Sequence, residues 1–237
     1  MCVKVKSEKL KLKTMNVRQE EERIDLRLKC PFTASLIGVS KSGKSTFARN
    51  LLKYRRLKYN KPPGKVFWFY KVYQPMYDEM LQLGIVDHFE EGMPTMAWMA
   101  DNITMSNCTI VIDDMALEAT EDTAKIFTIG SHHYSANIIF IAQNLFTKNK
   151  AFREISLNST YHVLFKNPRD KSSINHFARQ FAPGRTKDIA AIYAKATREP
   201  HSYLFIDYHQ ATREEDRIQS NILFENGKPI AMYRLNT

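Results

Sequence analysis

Two glycines, a lysine and a serine have the spacing of a phosphate-binding loop. Residues 38–45 read GVSKSGKS and fit G-x-x-x-x-G-K-[ST] at every fixed position. Glycine lets backbone N–H groups turn inward around phosphate oxygens. Lys44, which we expect to be an exposed loop residue, can neutralise the β- and γ-phosphates, and the Ser45 hydroxyl can coordinate Mg²⁺. A chance turn of this composition is the alternative. The residues predicted to hold the nucleotide are Gly38, Ser40, Lys41, Ser42, Gly43, Lys44, Ser45 and Thr46.

An acidic pair follows an apolar segment further along the chain. The segment TIVIDDM ends with Asp113 and Asp114 before a methionine. A phosphate-binding loop needs an acid that holds the metal, so we predict that Asp113 binds Mg²⁺, directly or through water, together with Ser45. Asp114 is predicted to orient the attacking water as a base, although it is one methylene shorter than the usual glutamate. An acidic strand end without a catalytic role is the alternative.

A glutamine and two arginines complete the set of candidates. Gln143 ends the apolar segment NIIFIAQ and is predicted to sense the γ-phosphate or the water; a capping or loop glutamine is the alternative. Charge that grows on the transferred phosphoryl group also needs a cation. Arg153 and Arg169 flank the next apolar segment, and either could reach the nucleotide of a neighbouring subunit. We predict Arg153, from a loop between two adjacent strands; a solvated arginine is the alternative for both.

Short apolar segments must form the strands that position these side chains. They are nearly continuous rather than alternating, which is typical of parallel strands covered on both faces. Segments with helical spacing lie between them, at 45–57, 75–86 and 120–129, and later at 171–182 and 185–198. This alternation predicts an α/β fold whose mostly parallel sheet is flanked by helices. The predicted strands are 32–39, 65–70, 108–113, 137–143, 159–166 and 201–208, with a last edge strand in KPIAMYRL.

The chain length and composition suggest one α/β domain preceded by an arm. The 237 residues divide into a basic, polar arm at 1–30, which includes a possible short strand KLKLK, and a nucleotide-binding domain at 31–237. Three cysteines lack metal-ligand spacing, which indicates a reducing, intracellular compartment. No segment approaches the roughly 18 apolar residues of a membrane span, so we expect no membrane partner.

The charge of the chain favours an anionic partner. The net charge is +10 and the isoelectric point is about 9.4, and a surplus of this size most often accompanies nucleic-acid binding. Residues 53–65, KYRRLKYNKPPGK, contain basic residues and tyrosines without an acid and could follow a phosphate backbone. For the net charge, the alternative is a generally basic surface without a specific partner. For residues 53–65, the alternative is the solvated end of a helix followed by a loop.

The chain resembles the genome-packaging ATPases of Polinton/Maverick elements and adintovirus-like DNA viruses, which belong to the FtsK/HerA-type branch of P-loop ATPases. The resemblance covers about residues 32–224. It is carried by the order of the phosphate-binding loop and the segments IVIDDM, HHYSANIIFIAQNLF, REISLNSTYHVLFKNPRD and INHFARQFAPG. The stretches AQNLF, ISLNSTY and FKNPRD are its most specific part.

This resemblance implies a RecA-like core with an additional strand between the P-loop strand and the acidic strand. It implies a homo-oligomeric ring that hydrolyses ATP with Mg²⁺ and drives double-stranded DNA into a capsid. Capsid proteins are then expected partners, at the site of virion assembly inside the host cell. An arginine acting across the subunit boundary is also expected, and we assign it to Arg153. The residues that match the family's motif positions are Lys44, Ser45, Asp113, Asp114 and Gln143, with Asp114 standing where many relatives have glutamate.

Three other functions are compatible with a phosphate-binding loop. A replicative helicase or another DNA translocase shares the core but would separate strands. A small-molecule kinase would phosphorylate an acceptor and needs no glutamine such as Gln143 after the strand that carries the metal-binding aspartate. A DNA-binding module with an inactive loop would release no phosphate, and the intact Lys44, Ser45 and Asp113 argue against it.

Overall fold

The computed structural model describes residues 25–103, 107–223 and 229–235. The possible strand KLKLK and the first 24 residues of the predicted arm lie outside the described residues, so the boundary after residue 30 stays a prediction. Within the described part, Leu28 is buried and pairs through a β-bridge with Tyr59. The chain just before residue 30 therefore packs against the domain.

A mixed sheet forms the centre of the described chain, with the order β3-β2-β4-β5-β1-β6-β7-β8-β9. The strands from β3 to β6 in this order are parallel, whereas β7, β8 and β9 pair antiparallel. The strands are β1 (Thr33–Ile37), β2 (Lys65–Tyr70), β3 (His88–Glu91), β4 (Cys108–Asp113), β5 (Asn137–Ala142), β6 (Tyr161–Phe165), β7 (Tyr203–Asp207), β8 (Ile218–Ser220) and β9 (Ala231–Met232).

The strand order confirms the predicted fold class. The strand β5, which precedes Gln143, lies between the P-loop strand β1 and the acidic strand β4. This is the additional strand of the RecA-like core. The strands β1, β4, β5 and β6 are buried along their whole length, as expected for parallel strands covered by helices on both faces. The carboxyl ends of these four strands therefore meet at one edge of the sheet.

Helices cover both faces of the sheet. Helices α1 and α3 pack on one face around Leu36, Trp68 and Val111. Helices α4, α5 and α7 pack on the other face around Ile112 and Phe140, with α8 and α9 beside them. The helices are α1 (Lys44–Lys53), α2 (Arg55–Lys58), α3 (Met76–Gln82), α4 (Met96–Asn102), α5 (Glu121–Lys125), α6 (Ser131–His133), α7 (Lys150–Leu157), α8 (Lys171–Phe181) and α9 (Thr186–Ala196), with a π-helical turn at Ile126–Gly130.

Some elements differ from the sequence-based prediction. Strand β3 was not predicted, because HFEE is short, polar and mostly exposed. Helix α7 occupies the segment that we had expected to be a loop carrying Arg153. In addition, β5 and β6 are not neighbours, because β1 lies between them. The predicted position of Arg153, in a loop between two adjacent strands, is therefore wrong.

Candidate active site

The loop from Gly38 to Gly43 connects β1 to α1 at the carboxyl edge of the sheet. The backbone of Gly43 has a φ of 104°, and that of Lys41 has a φ of 62°, so the loop bends through left-handed conformations that favour glycine. A Cβ atom on Gly38 would lie 2.6 Å from Cβ of Phe165. Glycine is thus required at both fixed positions, at the first by close packing and at the second by its backbone conformation.

The loop has the polar groups that a phosphate would engage. The Ser42 hydroxyl is buried and has no hydrogen-bond partner among the described residues, which is a costly arrangement unless a ligand pairs with it. Ser40 and Lys41 are exposed at the tip, and Thr46 is exposed in the first turn of α1. The start of this helix also directs its positive dipole end toward the loop. These features fit a phosphate chain.

Lys44 is buried, which corrects our expectation of an exposed loop lysine. Only 7% of its surface is exposed, because it is the first residue of α1 and folds back into the loop. Its ammonium group donates hydrogen bonds to the carbonyl oxygens of Gly38, at 2.7 Å, and Val39, at 3.0 Å. Burial lowers the pKa of Lys44, while the carboxylates of Asp114 and Asp113 oppose the shift. A bound polyphosphate would supply the negative charge that this desolvated cation lacks.

Ser45 and Asp113 are brought together as predicted for a Mg²⁺ site. The Ser45 hydroxyl lies 3.1 Å from Oδ2 of Asp113, although the residues are far apart in the chain. Tyr77, on α3, donates a hydrogen bond of 3.2 Å to the same oxygen. A hydroxyl and a carboxylate are the hard oxygen ligands that Mg²⁺ takes beside phosphate oxygens and water. The donor set therefore fits the metal.

Asp113 is also unusual in its protonation. Burial raises the pKa of Asp113 to about 6, and the hydrogen bonds from Ser45 and Tyr77 oppose this shift. The ionised carboxylate is thus poorly stabilised by the protein alone. A divalent cation would compensate the buried charge, so metal binding and ionisation of Asp113 are coupled.

We predict that Asp113→Asn stabilises the metal-free, nucleotide-free protein at pH 8 but much less at pH 4. A carboxyl whose pKa is raised by folding favours the folded state while protonated, and this contribution is lost as the pH rises from about 4 through 6. Asparagine carries no charge at either pH, so the expected gain at pH 8 is on the order of 2 kcal/mol. Calorimetric melting at both pH values measures it. The exposed variant Asp101→Asn is the control, and an equal shift at both pH values would contradict the prediction.

Asp114 and Gln143 form a pair at the ends of the neighbouring strands β4 and β5. The Gln143 amide donates to both carboxylate oxygens of Asp114, at 3.0 and 2.9 Å. The Asp114 backbone has a φ of 58°, a left-handed conformation that aspartate tolerates better than most residues. Both side chains are exposed at the edge beside the loop. A water molecule and a γ-phosphate could therefore reach them.

The two arginines lie in different places. Arg169 lines a cavity of about 450 Å³ together with Ser40 and Gln143, beside the phosphate-binding loop. Arg153 is exposed on α7 and lines a separate, largely apolar cavity that contains His162. Neither arginine forms an ion pair with another described residue. Of these two arginines, Arg169 lines a cavity together with residues of the predicted site.

Sequence reasoning missed two residues at this edge. Tyr77 lies in a segment with helical spacing of apolar residues. That pattern does not indicate that its hydroxyl donates a hydrogen bond to Asp113. His201 lies next to Gly43, although more than 150 residues separate them. In the sequence, the one indication of a place near the site was that Tyr77 lies near the start of a predicted helix and His201 at the start of a predicted strand. Their contacts depend on which strands neighbour β1 and β4.

Comparison with known proteins gives solved structures of low similarity. No protein-family model matches the chain, and no curated protein sequence matches it. Among solved structures it is similar to the flagellar accessory protein FlaH from Methanocaldococcus jannaschii, with 13% identity, a TM-score of 0.39, and coverage of 60% of this chain and 75% of FlaH. It is also similar to the cytoplasmic domain of the Thermomonospora curvata Type VII secretion ATPase EccC, with 13% identity and a TM-score of 0.49.

The alignment with EccC covers 85% of this chain but 25% of the EccC chain. These levels of similarity leave the function to be argued from the geometry of the site itself. Among the described residues, each helix is too short or too polar to span a lipid bilayer.

Proposed function

We propose that this chain is a Mg²⁺-dependent ATPase that moves double-stranded DNA into a viral capsid. The observation that supports hydrolysis is the convergence of four predicted residues at one edge of the sheet. The Ser45 hydroxyl lies 3.1 Å from Oδ2 of Asp113, and Nε2 of Gln143 lies 2.9 Å from Oδ2 of Asp114. Both pairs lie beside a loop with the geometry of a phosphate cradle.

Each side chain has a defined part in this proposal. Backbone N–H groups of the loop and the Lys44 ammonium hold the phosphates, so Lys44 must exchange its bonds to loop carbonyls for phosphate oxygens. Ser45 and Asp113 would hold Mg²⁺, which neutralises charge on the β- and γ-phosphate oxygens when bound. Asp114 accepts a proton from the attacking water, and Gln143 orients the Asp114 carboxylate.

The proposal of DNA as the partner rests on charge. Among the described residues, the segment 53–65 presents Lys53, Arg56, Lys61 and Lys65 at the surface, with Tyr54 also exposed. Such a surface can follow a phosphate backbone without reading its sequence. The net charge of +10 also favours binding to DNA.

The proposal of genome packaging rests on the sequence resemblance. Two of its most specific stretches, AQNLF and FKNPRD, contribute Gln143, Asn144, Asn167 and Arg169 to the cavity beside the loop. The motif residues are therefore near the predicted chemistry rather than scattered over the surface. Capsid proteins, a ring of identical subunits and a location at virion assembly in the host cell belong to this proposal.

The decisive experiment measures phosphate release from ATP with and without blunt double-stranded DNA, over a range of salt concentrations. We expect stimulation by DNA of any sequence, and loss of DNA affinity as salt rises, because basic side chains release counterions from phosphates. Phosphorylation of a small acceptor would indicate a kinase instead. Unwinding of forked DNA with no response to blunt duplex would indicate a helicase. A salt-independent affinity or a strong base preference would contradict a translocase.

The arginine that completes the site can be found by mixing variants. We predict that Arg153 acts from a neighbouring subunit, because it is exposed and does not share the cavity of its own loop. Arg153→Ala and Lys44→Ala subunits, each inactive alone, should then regain part of the activity when mixed. Arg179→Ala, an exposed arginine on α8, is the control variant. If mixed rings recover nothing and Arg169→Ala is inactive, Arg169 is the cation and acts within its own subunit.

A further inference from the structure

His201 lies against the phosphate-binding loop from the far end of the chain. A Cβ atom on Gly43 would come within 3.2 Å of Cβ and 3.4 Å of Nδ1 of His201. His201 itself is exposed and has a φ of 61°. A non-glycine residue in this left-handed conformation is uncommon, and such residues concentrate at functional sites.

The sheet places His201 at the same edge as the loop. It comes two residues before β7, which runs antiparallel to β6, with Tyr203 opposite Phe165 at the carboxyl end of β6. The start of β7 therefore lies where the parallel strands end. The His201 imidazole makes no hydrogen bond to another described residue, so its nitrogens are available to a ligand.

The positions of the metal residues give the direction of a bound nucleotide. Ser45 and Asp113 would hold the Mg²⁺ that neutralises charge on the β- and γ-phosphates, so these two residues mark the γ end of a bound triphosphate. Asp113 ends β4 and Gln143 follows β5, and both strands lie on one side of β1 in the sheet. His201 precedes β7, which lies on the other side of β1, beyond β6. A triphosphate that crosses the loop from the metal side directs its nucleoside toward His201.

We propose that His201 contacts the nucleoside of the bound nucleotide, as a binding residue that distinguishes a nucleotide from inorganic polyphosphate. This inference rests on the proposed function, since it assumes that the loop binds a nucleoside triphosphate. The imidazole face can stack on a base, and either ring nitrogen can form a hydrogen bond with a ribose hydroxyl. The left-handed backbone of His201 places the ring beside Gly43, at the rim of the loop.

The test compares two ligands on one set of variants. His201→Asn removes the ring but keeps a residue that tolerates a positive φ, so the turn before β7 should remain intact. His132→Ala is the matched control, because His132 is an exposed histidine that precedes β5 at the opposite edge of the sheet. Equilibrium binding of Mg-ATP and of Mg-tripolyphosphate, which has no nucleoside, is measured by calorimetry.

We expect His201→Asn to weaken ATP binding about tenfold, the effect of losing one base-stacking contact, and to leave tripolyphosphate binding unchanged. Equal losses for both ligands would show that His201 only supports the loop, and no loss for either would show that it does not contact the ligand; both results overturn the inference. If the wild-type protein binds neither ligand, the proposed nucleotide-binding function itself has failed. That result is distinct, because it does not depend on the variant.

Discussion

Lys44→Ala should reduce ATP turnover by at least about 10²-fold, because the growing charge on the γ-phosphate loses the lysine cation of the loop. Lys44 is buried and is held by the carbonyls of Gly38 and Val39. Its desolvated ammonium is therefore already positioned within the loop. Steady-state phosphate release at saturating ATP measures the effect.

The burial of Lys44 requires a control on folding. Alanine removes two hydrogen bonds that close the loop, so thermal melting must accompany the activity measurement. Lys44→Met keeps most of the aliphatic stem and should be equally inactive with a smaller change in melting temperature. Lys125→Ala, an exposed lysine at the end of α5, should retain full activity. A turnover of Lys44→Ala within threefold of the wild type would refute the assignment of the loop.

Asp114→Asn should lower kcat by about 10²- to 10⁴-fold, the usual contribution of a general base, while changing nucleotide affinity much less. A base acts on the attacking water mainly in the transition state, so its loss appears in kcat rather than in binding. Asparagine keeps one acceptor oxygen for the Gln143 amide, so the pairing at 2.9 Å should survive in part. Single-turnover rates and equilibrium nucleotide binding separate the two effects.

The Mg²⁺ requirements of the Asp113→Asn and Asp114→Asn variants can be compared directly, because we assign metal binding to Asp113 and the role of base to Asp114. Asp113→Asn should raise the Mg²⁺ concentration needed for nucleotide binding, because it removes a ligand that Ser45 and Tyr77 hold in place. Asp114→Asn should leave that concentration unchanged. Asp101→Asn, an exposed aspartate on α4, is the control for both. If both active-site variants shift the metal requirement equally, Asp114 is a metal ligand rather than the base.

The amino-acid sequence alone determined the local parts of this protein. The spacing of Gly38, Gly43, Lys44 and Ser45 predicted the loop, because a phosphate cradle is formed by consecutive backbone groups whose conformations depend on nearby residue types. Continuous apolar segments predicted the parallel strands, since a strand buried on both faces is apolar at successive positions. The mostly parallel sheet followed from the alternation of these segments with helical ones and was confirmed, and the additional strand that the family resemblance implied is β5.

Only the tertiary structure decided which distant residues meet at the loop. Tyr77 reaches Asp113, and His201 reaches Gly43, because strand order brings helices and turns from separate parts of the chain to one edge. Arg153 lies on α7, which packs on the face of the sheet opposite α1, and it lines a different cavity from the loop of its own subunit. Hydrophobic periodicity identifies which face of an element is buried, but it carries no information on the neighbour against which that face packs. The neighbours of the site residues were therefore fixed by packing across the sheet.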